Sequence, residues 1–212
     1  MIDTTFLIMA FVTMFVVIDP IGLAPLFVAL TQGMSASAKR KIAFRSCAIA
    51  IVLLVVFALL GEAVLEFIGI SMAAFRIAGG ILLFITALDM LFERRTKRRE
   101  DTADDEDHSD DPSVFPLAIP LIAGPGAIAS VILLTGQRPG AEGLAMVLGV
   151  TAAVVILVMV LFLASGLIEK ALGKTGITVV TRLLGMLLAA LSVQFVLDGL
   201  RDFSSFAVTS GG

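Results

Sequence analysis

Apolar residues run in long blocks along this chain, and polar residues collect between the blocks. A membrane-spanning helix needs about 20 mostly apolar residues. Six segments qualify: Thr5–Leu30, Ile42–Ile68, Met72–Phe92, Val114–Leu134, Leu144–Ile168 and Ile177–Leu200. Six soluble helices this apolar would have no polar face to turn to water. The pattern therefore predicts an all-α integral membrane protein with six transmembrane helices.

The blocks repeat. The first holds Asp19-Pro20-Ile21-Gly22-Leu23-Ala24-Pro25, and the fourth holds Ile119-Pro120-Leu121-Ile122-Ala123-Gly124-Pro125-Gly126. Both carry Pro-x4-Pro, one hundred residues apart. Arg76-Ile77-Ala78-Gly79 near the start of the third block echoes Arg182-Leu183-Leu184-Gly185 in the sixth, and Leu88-Asp89 echoes Leu197-Asp198. Three matches in one order suggest two repeats of three spans each. An odd number of spans makes the second repeat enter from the opposite side, the inverted topology found in secondary transporters. The expected organisation is a first repeat over 1–93, a charged cytoplasmic linker over 94–112, an inverted second repeat over 113–203 and a tail over 204–212.

Proline in a helix removes a backbone donor and clashes with the preceding turn, at about 3 kcal/mol or more. In lipid the freed carbonyls find no water, so a broken helix persists only inside protein or beside a wet cavity. The first and fourth spans are therefore read as broken, with Gly124-Pro125-Gly126 permissive of unusual backbone angles. Free amides at a half-helix N-terminus attract anions, and free carbonyls attract cations. Two facing breaks would hold a zwitterion through backbone. The candidate binding residues are Asp19, Pro20, Gly22, Pro25, Pro120, Gly124, Pro125 and Gly126. Asp19 is the ionisable residue closest to a span centre, where a charge costs about 2.5–3.5 kcal/mol. It precedes Pro20, so it is also placed to cap the second half-helix. Ile119 occupies the matching place in the other half.

Charge adds direction. Of fifteen Lys and Arg residues, twelve fall on one side if the spans alternate; Arg76, Arg138 and Arg201 fall on the other. Positive residues favour the cytoplasm. Both termini are expected outside it and the linker inside. The linker's acidic run, Glu100 to Asp111, is too polar to fold alone, and His108 within it makes a weak metal candidate. No basic n-region precedes the first block, so that block is expected to stay rather than be cleaved. Cys47, the one cysteine, reads as a small buried apolar residue.

Composition agrees. The 212 residues are 58% hydrophobic and 16% charged, against about 25% charged for soluble domains. The mean hydropathy is +1.06. A net charge of −3 argues against nucleic acid. Without paired intramembrane carboxylates or a Cys-His pair, an enzyme is not expected. Arg76, Arg182 and Gln194 remain as candidates for coupling or gating. Ser130, Thr135 and Ser192 are candidates for interhelical hydrogen bonds.

Asp-Pro-Ile-Gly-x-x-Pro-x-Phe at 19–27, Phe-Arg-Ile-Ala-Gly-Gly at 75–80 and Pro-Leu-Ala-Ile-Pro-Leu-Ile-Ala-Gly-Pro-Gly-Ala-Ile at 116–128 resemble the signatures of the MarC family. The resemblance covers nearly the whole chain outside the acidic loop and the final ten residues. It implies a six-span inner-membrane protein, grouped with amino-acid exporters of the lysine-exporter type. It also implies transport of small neutral amino acids such as glycine and alanine.

The leading expectation is alternating-access secondary transport, coupled to sodium or protons and using no cofactor. The expected partners are a small amino acid and the bilayer, with a second copy of the chain allowed. A channel or broad efflux protein is the alternative, recognisable by flux that does not saturate. A non-transporting scaffold is a third, which would lose its phenotype on deletion of Glu100–Asp111.

Overall fold

The structure, a computed structural model, describes residues 3–94 and 111–210, the side chains of 168–169 and 205–210 excepted. Most of the charged linker, His108 included, lies outside the described residues. Eight helical segments account for nearly all the rest: α1 (Thr4–Ile18), α2 (Pro20–Leu30), α3 (Ala36–Phe67), α4 (Met72–Leu91), the wide-turned α5 (Ser113–Ile122), α6 (Pro125–Gln137), α7 (Ala141–Leu163) and α8 (Ser165–Ser210). Among the described residues there is no strand.

Five spans are continuous enough to cross a bilayer: α1 with α2, then α3, α4, α7 and the 170–204 part of α8. α5 and α6 make a sixth if their 52° bend is crossed as one span. Large apolar side chains such as Ile8, Phe44, Leu60, Phe67 and Leu167 stand exposed on the outside. In water such a surface would be an aggregation hazard; in lipid it is the solvated face.

Local sequence sets the ends. Asp3, Ser35 and Ser71 cap α1, α3 and α4 by accepting from the amides of Phe6, Ala38 and Ala74. Gly69, at φ +78°, turns the chain between α3 and α4. Two expected boundaries move. α7 stops at Leu163, and 165–172 forms a separate short helix because Gly173 adopts φ 60°, ψ 176°. The stretch 204–212, expected as a tail, stays helical through Ser210.

α4 and α8 run antiparallel in close contact. A Cβ on Gly80 would lie 2.8 Å from the Ser192 carbonyl oxygen, and one on Gly199 would lie 3.0 Å from that of Ala73. At the other end a Cβ on Gly185 would meet Met90 Cβ at 2.9 Å. Small residues let backbones approach and gain dispersion contacts where lipid gives no hydrophobic drive. α3 packs on α5, α6 and α7, and α2 on α7 and α8. Phe27 of α2 and Phe162 of α7 stack with centroids 4.4 Å apart. α1 and α6 lie against each other in the middle.

Candidate functional site

The first span breaks at one residue. The position before a proline is disfavoured in α conformation, and Asp19 takes the left-handed region instead, at φ 58°, ψ 63°. Asp and Asn tolerate that region because their short side chains bond locally. The Asp19 amide ends α1 by donating to the Phe15 carbonyl at 2.9 Å. Its carboxylate begins α2 by accepting from the Gly22 amide at 3.1 Å, with Pro20 in the first turn. A Cβ on Gly22 would lie 2.2 Å from Asp19 Oδ2, so only glycine leaves room for this cap. Pro25 sits inside α2, which continues through it.

The fourth span breaks over a longer stretch. Phe115 and Ile119 each precede a proline and adopt extended angles. The Phe115-Pro116 and Ile119-Pro120 bonds are cis. Five-residue loops close through Leu117 N–H to Pro112 O at 3.3 Å and Ala123 N–H to Ala118 O at 2.9 Å. Gly124 is then extended, at φ −81°, ψ 171°, and α6 starts at Pro125. A Cβ on Gly124 would lie 2.4 Å from the Pro120 carbonyl oxygen.

The two breaks touch. A Cβ on Gly126 would meet Val17 Cγ1 at 3.1 Å, Leu83 Cδ2 at 3.5 Å and Thr86 Oγ1 at 3.9 Å. Val17 is two residues before the first break and Gly126 two after the second. Ile18, Asp19, Ala123 and Ala127 are buried around them. The new half-helices differ in charge. α2 begins under the Asp19 carboxylate; α6 begins with no side-chain cap. A buried N-terminus without a carboxylate is a place for an anion.

Pro20 and Pro125 both stand in the first turn of a second half-helix. In that respect Gly124-Pro125 resembles Asp19-Pro20, at an offset near that of Arg76 and Arg182. Pro25 lies inside α2 and Pro120 inside the fourth span's break, and neither forms the contact between Val17 and Gly126.

The gating candidates lie elsewhere. Arg76, nearly buried, pairs with Asp202 of α8, and Arg182 of α8 pairs with Glu93 just past α4. These pairs tie opposite ends of the α4–α8 seam. Gln194 is exposed and donates to Asp198 at 2.8 Å on its own helix. It does not join the site. Thr135 and Ser192 bond to carbonyls of their own helices, so neither bridges helices through its hydroxyl.

Two further ion pairs were not singled out from the sequence: Arg138 with Asp3, and Arg45 with Asp111. Each joins the start of a broken span to the region after the other half's broken span. The signal was an acidic residue just ahead of each broken span, Asp3 and Asp111. Asp111 is held below the ordinary carboxylate range. The Ser113 hydroxyl lowers it most; burial opposes, and the Ser113 amide, donating at 3.0 Å, and the charges of Arg45 and Lys41 lower it further. A depressed folded pKa contributes stability above the unfolded value, about 3.9, and loses it as pH falls through the folded one. Thermal denaturation below about pH 4 should show this loss. Asp111→Asn should flatten that part of the profile and change little at neutral pH, since the pair is half exposed.

Among the described residues no group of His, Cys, Asp or Glu could hold a metal ion. The model of the family described as "MarC family integral membrane protein" matches residues 4–204. A UPF0056 membrane protein of Archaeoglobus fulgidus is 37% identical over 203 residues, covering 93% of both chains. UPF0056 membrane protein YvbG of Bacillus subtilis is 35% identical over 200 residues, covering 93% of this chain and 95% of its own. No solved structure matches.

Proposed function

The chain belongs to the MarC family of multi-pass integral membrane proteins, and from this premise and its two facing breaks we propose that it is a secondary transporter of small neutral amino acids. The observation that carries the reading is the contact between the two breaks, Val17 against Gly126, the first half-helix start capped by a carboxylate and the second without a side-chain cap. A zwitterion would place its carboxylate at the uncapped α6 amides of Gly126 and Ala127. Its ammonium would lie toward Asp19. The tight approach at Gly126 favours glycine- or alanine-sized side chains. Gly22 and Gly124 hold the two backbones in shape; Pro20 and Pro125 start the second half-helices.

Transport would follow alternating access between inverted repeats. Two features support that symmetry. The first span packs on the fourth, the second on the fifth and the third on the sixth. Four ion pairs among the described residues also fall into two matched couples, Asp3–Arg138 with Asp111–Arg45, and Arg76–Asp202 with Arg182–Glu93. The positive-residue bias supports termini on the outside of a cytoplasmic (inner) membrane. Sodium or protons would couple through Asp19.

The test is uptake of labelled glycine and alanine into proteoliposomes, with sodium and proton gradients imposed separately. Saturable uptake driven by one gradient is expected. Flux linear to high concentration, without counterflow, would instead mark a channel.

A further inference from the structure

Seven hydroxyls among the described residues bond back to the backbone of their own helix or its end. Thr31, Ser46, Thr86, Thr135, Thr151, Ser192 and Ser204 each donate to a carbonyl three or four residues back, at 2.7–3.1 Å. Four buried hydroxyls among the described residues have no partner, those of Thr13, Ser113, Ser130 and Thr181; Thr13 of α1 and Ser130 of α6 are the two on the helices that meet at the breaks. Both are fully buried. A buried hydroxyl left unsatisfied is unfavourable, and in a membrane interior no bulk water relieves it.

The register of α1 and α6 brings these two together. Val17 meets Gly126 at the breaks. At the far end the Arg138 guanidinium sits over the Phe6 ring, 5.6 Å from its centroid, and pairs with Asp3. The helices are therefore antiparallel. One turn back from Val17 is Thr13, and one turn on from Gly126 is Ser130. Residues four apart share a helix face, so both hydroxyls stand at one level on the facing sides, one turn from the breaks.

We infer that the α1–α6 seam is the route by which a small polar solute reaches the breaks from the outer face, with Thr13 and Ser130 as its hydroxyl step and the Asp3–Arg138 pair over Phe6 as its lid. The inference rests on the proposed orientation and on a solute site at the breaks. Its ligand chemistry is a small hydrogen-bonding zwitterion or amide, for which two hydroxyls substitute for water.

The test uses the full chain in proteoliposomes with Cys47→Ala, which removes the single native thiol. Thr13→Cys, Ser130→Cys and, as a control, the buried Val131→Cys are treated from outside with a membrane-impermeant cationic methanethiosulfonate. Thr13→Cys and Ser130→Cys should react, and Val131→Cys should not. Asp3→Asn should speed their reaction about threefold to fivefold, as loss of one half-exposed ion pair allows. A monodisperse size-exclusion peak establishes folding, and near-isosteric Ser130→Cys carries the test if Thr13→Cys misfolds. Unreactive 13 and 130 in the Asp3→Asn background, while an exposed control cysteine reacts, would overturn the route. Protection by glycine is a separate readout: reactive cysteines without protection would leave the route standing and remove the amino-acid reading.

Discussion

Gly124→Ala should unfold the fourth span's break, while Gly126→Ala should leave the fold intact. The two glycines are two residues apart, yet their surroundings differ. The new methyl at 124 would lie 2.4 Å from the Pro120 carbonyl oxygen, a backbone atom of the same break. That atom moves only if the turn through Pro120 moves. Overpacking of this kind costs about 1–3 kcal/mol even where side chains can yield. Here the upper end applies, roughly 5–10 °C of melting temperature for a chain this size. At 126 the nearest atom is a γ-methyl of Val17 at 3.1 Å, which can yield by a few tenths of an ångström. Melting followed by tryptophan-free methods, such as light scattering or thiol exposure of Cys47, should separate the two. Equal melting for Gly124→Ala and wild type would mean that Gly124 does not hold the break. Substrate affinity should follow the other order. Gly126→Ala narrows the contact between breaks and should weaken glycine binding without changing the melt.

Much of this arrangement was legible in the residues themselves. Hydropathy located every span, because a lipid-facing helix must be apolar on nearly all sides. The breaks were legible from proline, but their registration was not. Pro-x4-Pro sets Pro20 beside Pro120, whereas Pro20 and Pro125 are the prolines that open half-helices. What decides the break is the residue before the proline and whether it can leave the α region. Asp19 does so in the left-handed region, and Phe115, Ile119 and Gly124 in the extended one, whereas Ala24 stays helical and α2 runs on through Pro25. The spacing between prolines does not carry that information.

Side-chain partners were the least legible part. Arg76 and Arg182 were read as gate candidates from their symmetry, and that symmetry recurs in their pairing with Asp202 and Glu93. The partners themselves lie 126 and 89 residues away, beyond any local pattern. Gln194 was read from its polarity inside an apolar block. It faces outward because Ser192 and Phe195, two positions before it and one after, take the buried side of α8. One polar residue in a span cannot say which way its helix is rotated. The unpartnered Thr13 was likewise invisible, since threonine in a membrane helix ordinarily bonds to its own backbone.

Asp19→Asn should leave the melt unchanged or raise it while abolishing gradient-driven transport. Asp19 has two roles that a substitution series can pull apart. As a cap it needs a left-handed backbone and an oxygen facing the Gly22 amide. Asparagine supplies both, because its Oδ1 accepts as a carboxylate does and it tolerates positive φ. As a charge it needs the carboxylate, which costs about 2.5–3.5 kcal/mol near a span centre. Asparagine relieves that cost, so stability should not fall. A hydrogen bond to a charged group contributes about 1.5–3 kcal/mol, and substrate or ion affinity should drop roughly 10- to 150-fold. Asp19→Ala removes the cap and keeps a Cβ in the left-handed region. It should destabilise by about 1 kcal/mol for the cap and 1–2 kcal/mol for the backbone. Melting curves and uptake measured on both variants give a two-way comparison. Lost drive with an intact melt in asparagine assigns the carboxylate to transport. Full drive in asparagine, with a lowered melt in alanine, reduces Asp19 to a cap and moves the coupling charge elsewhere.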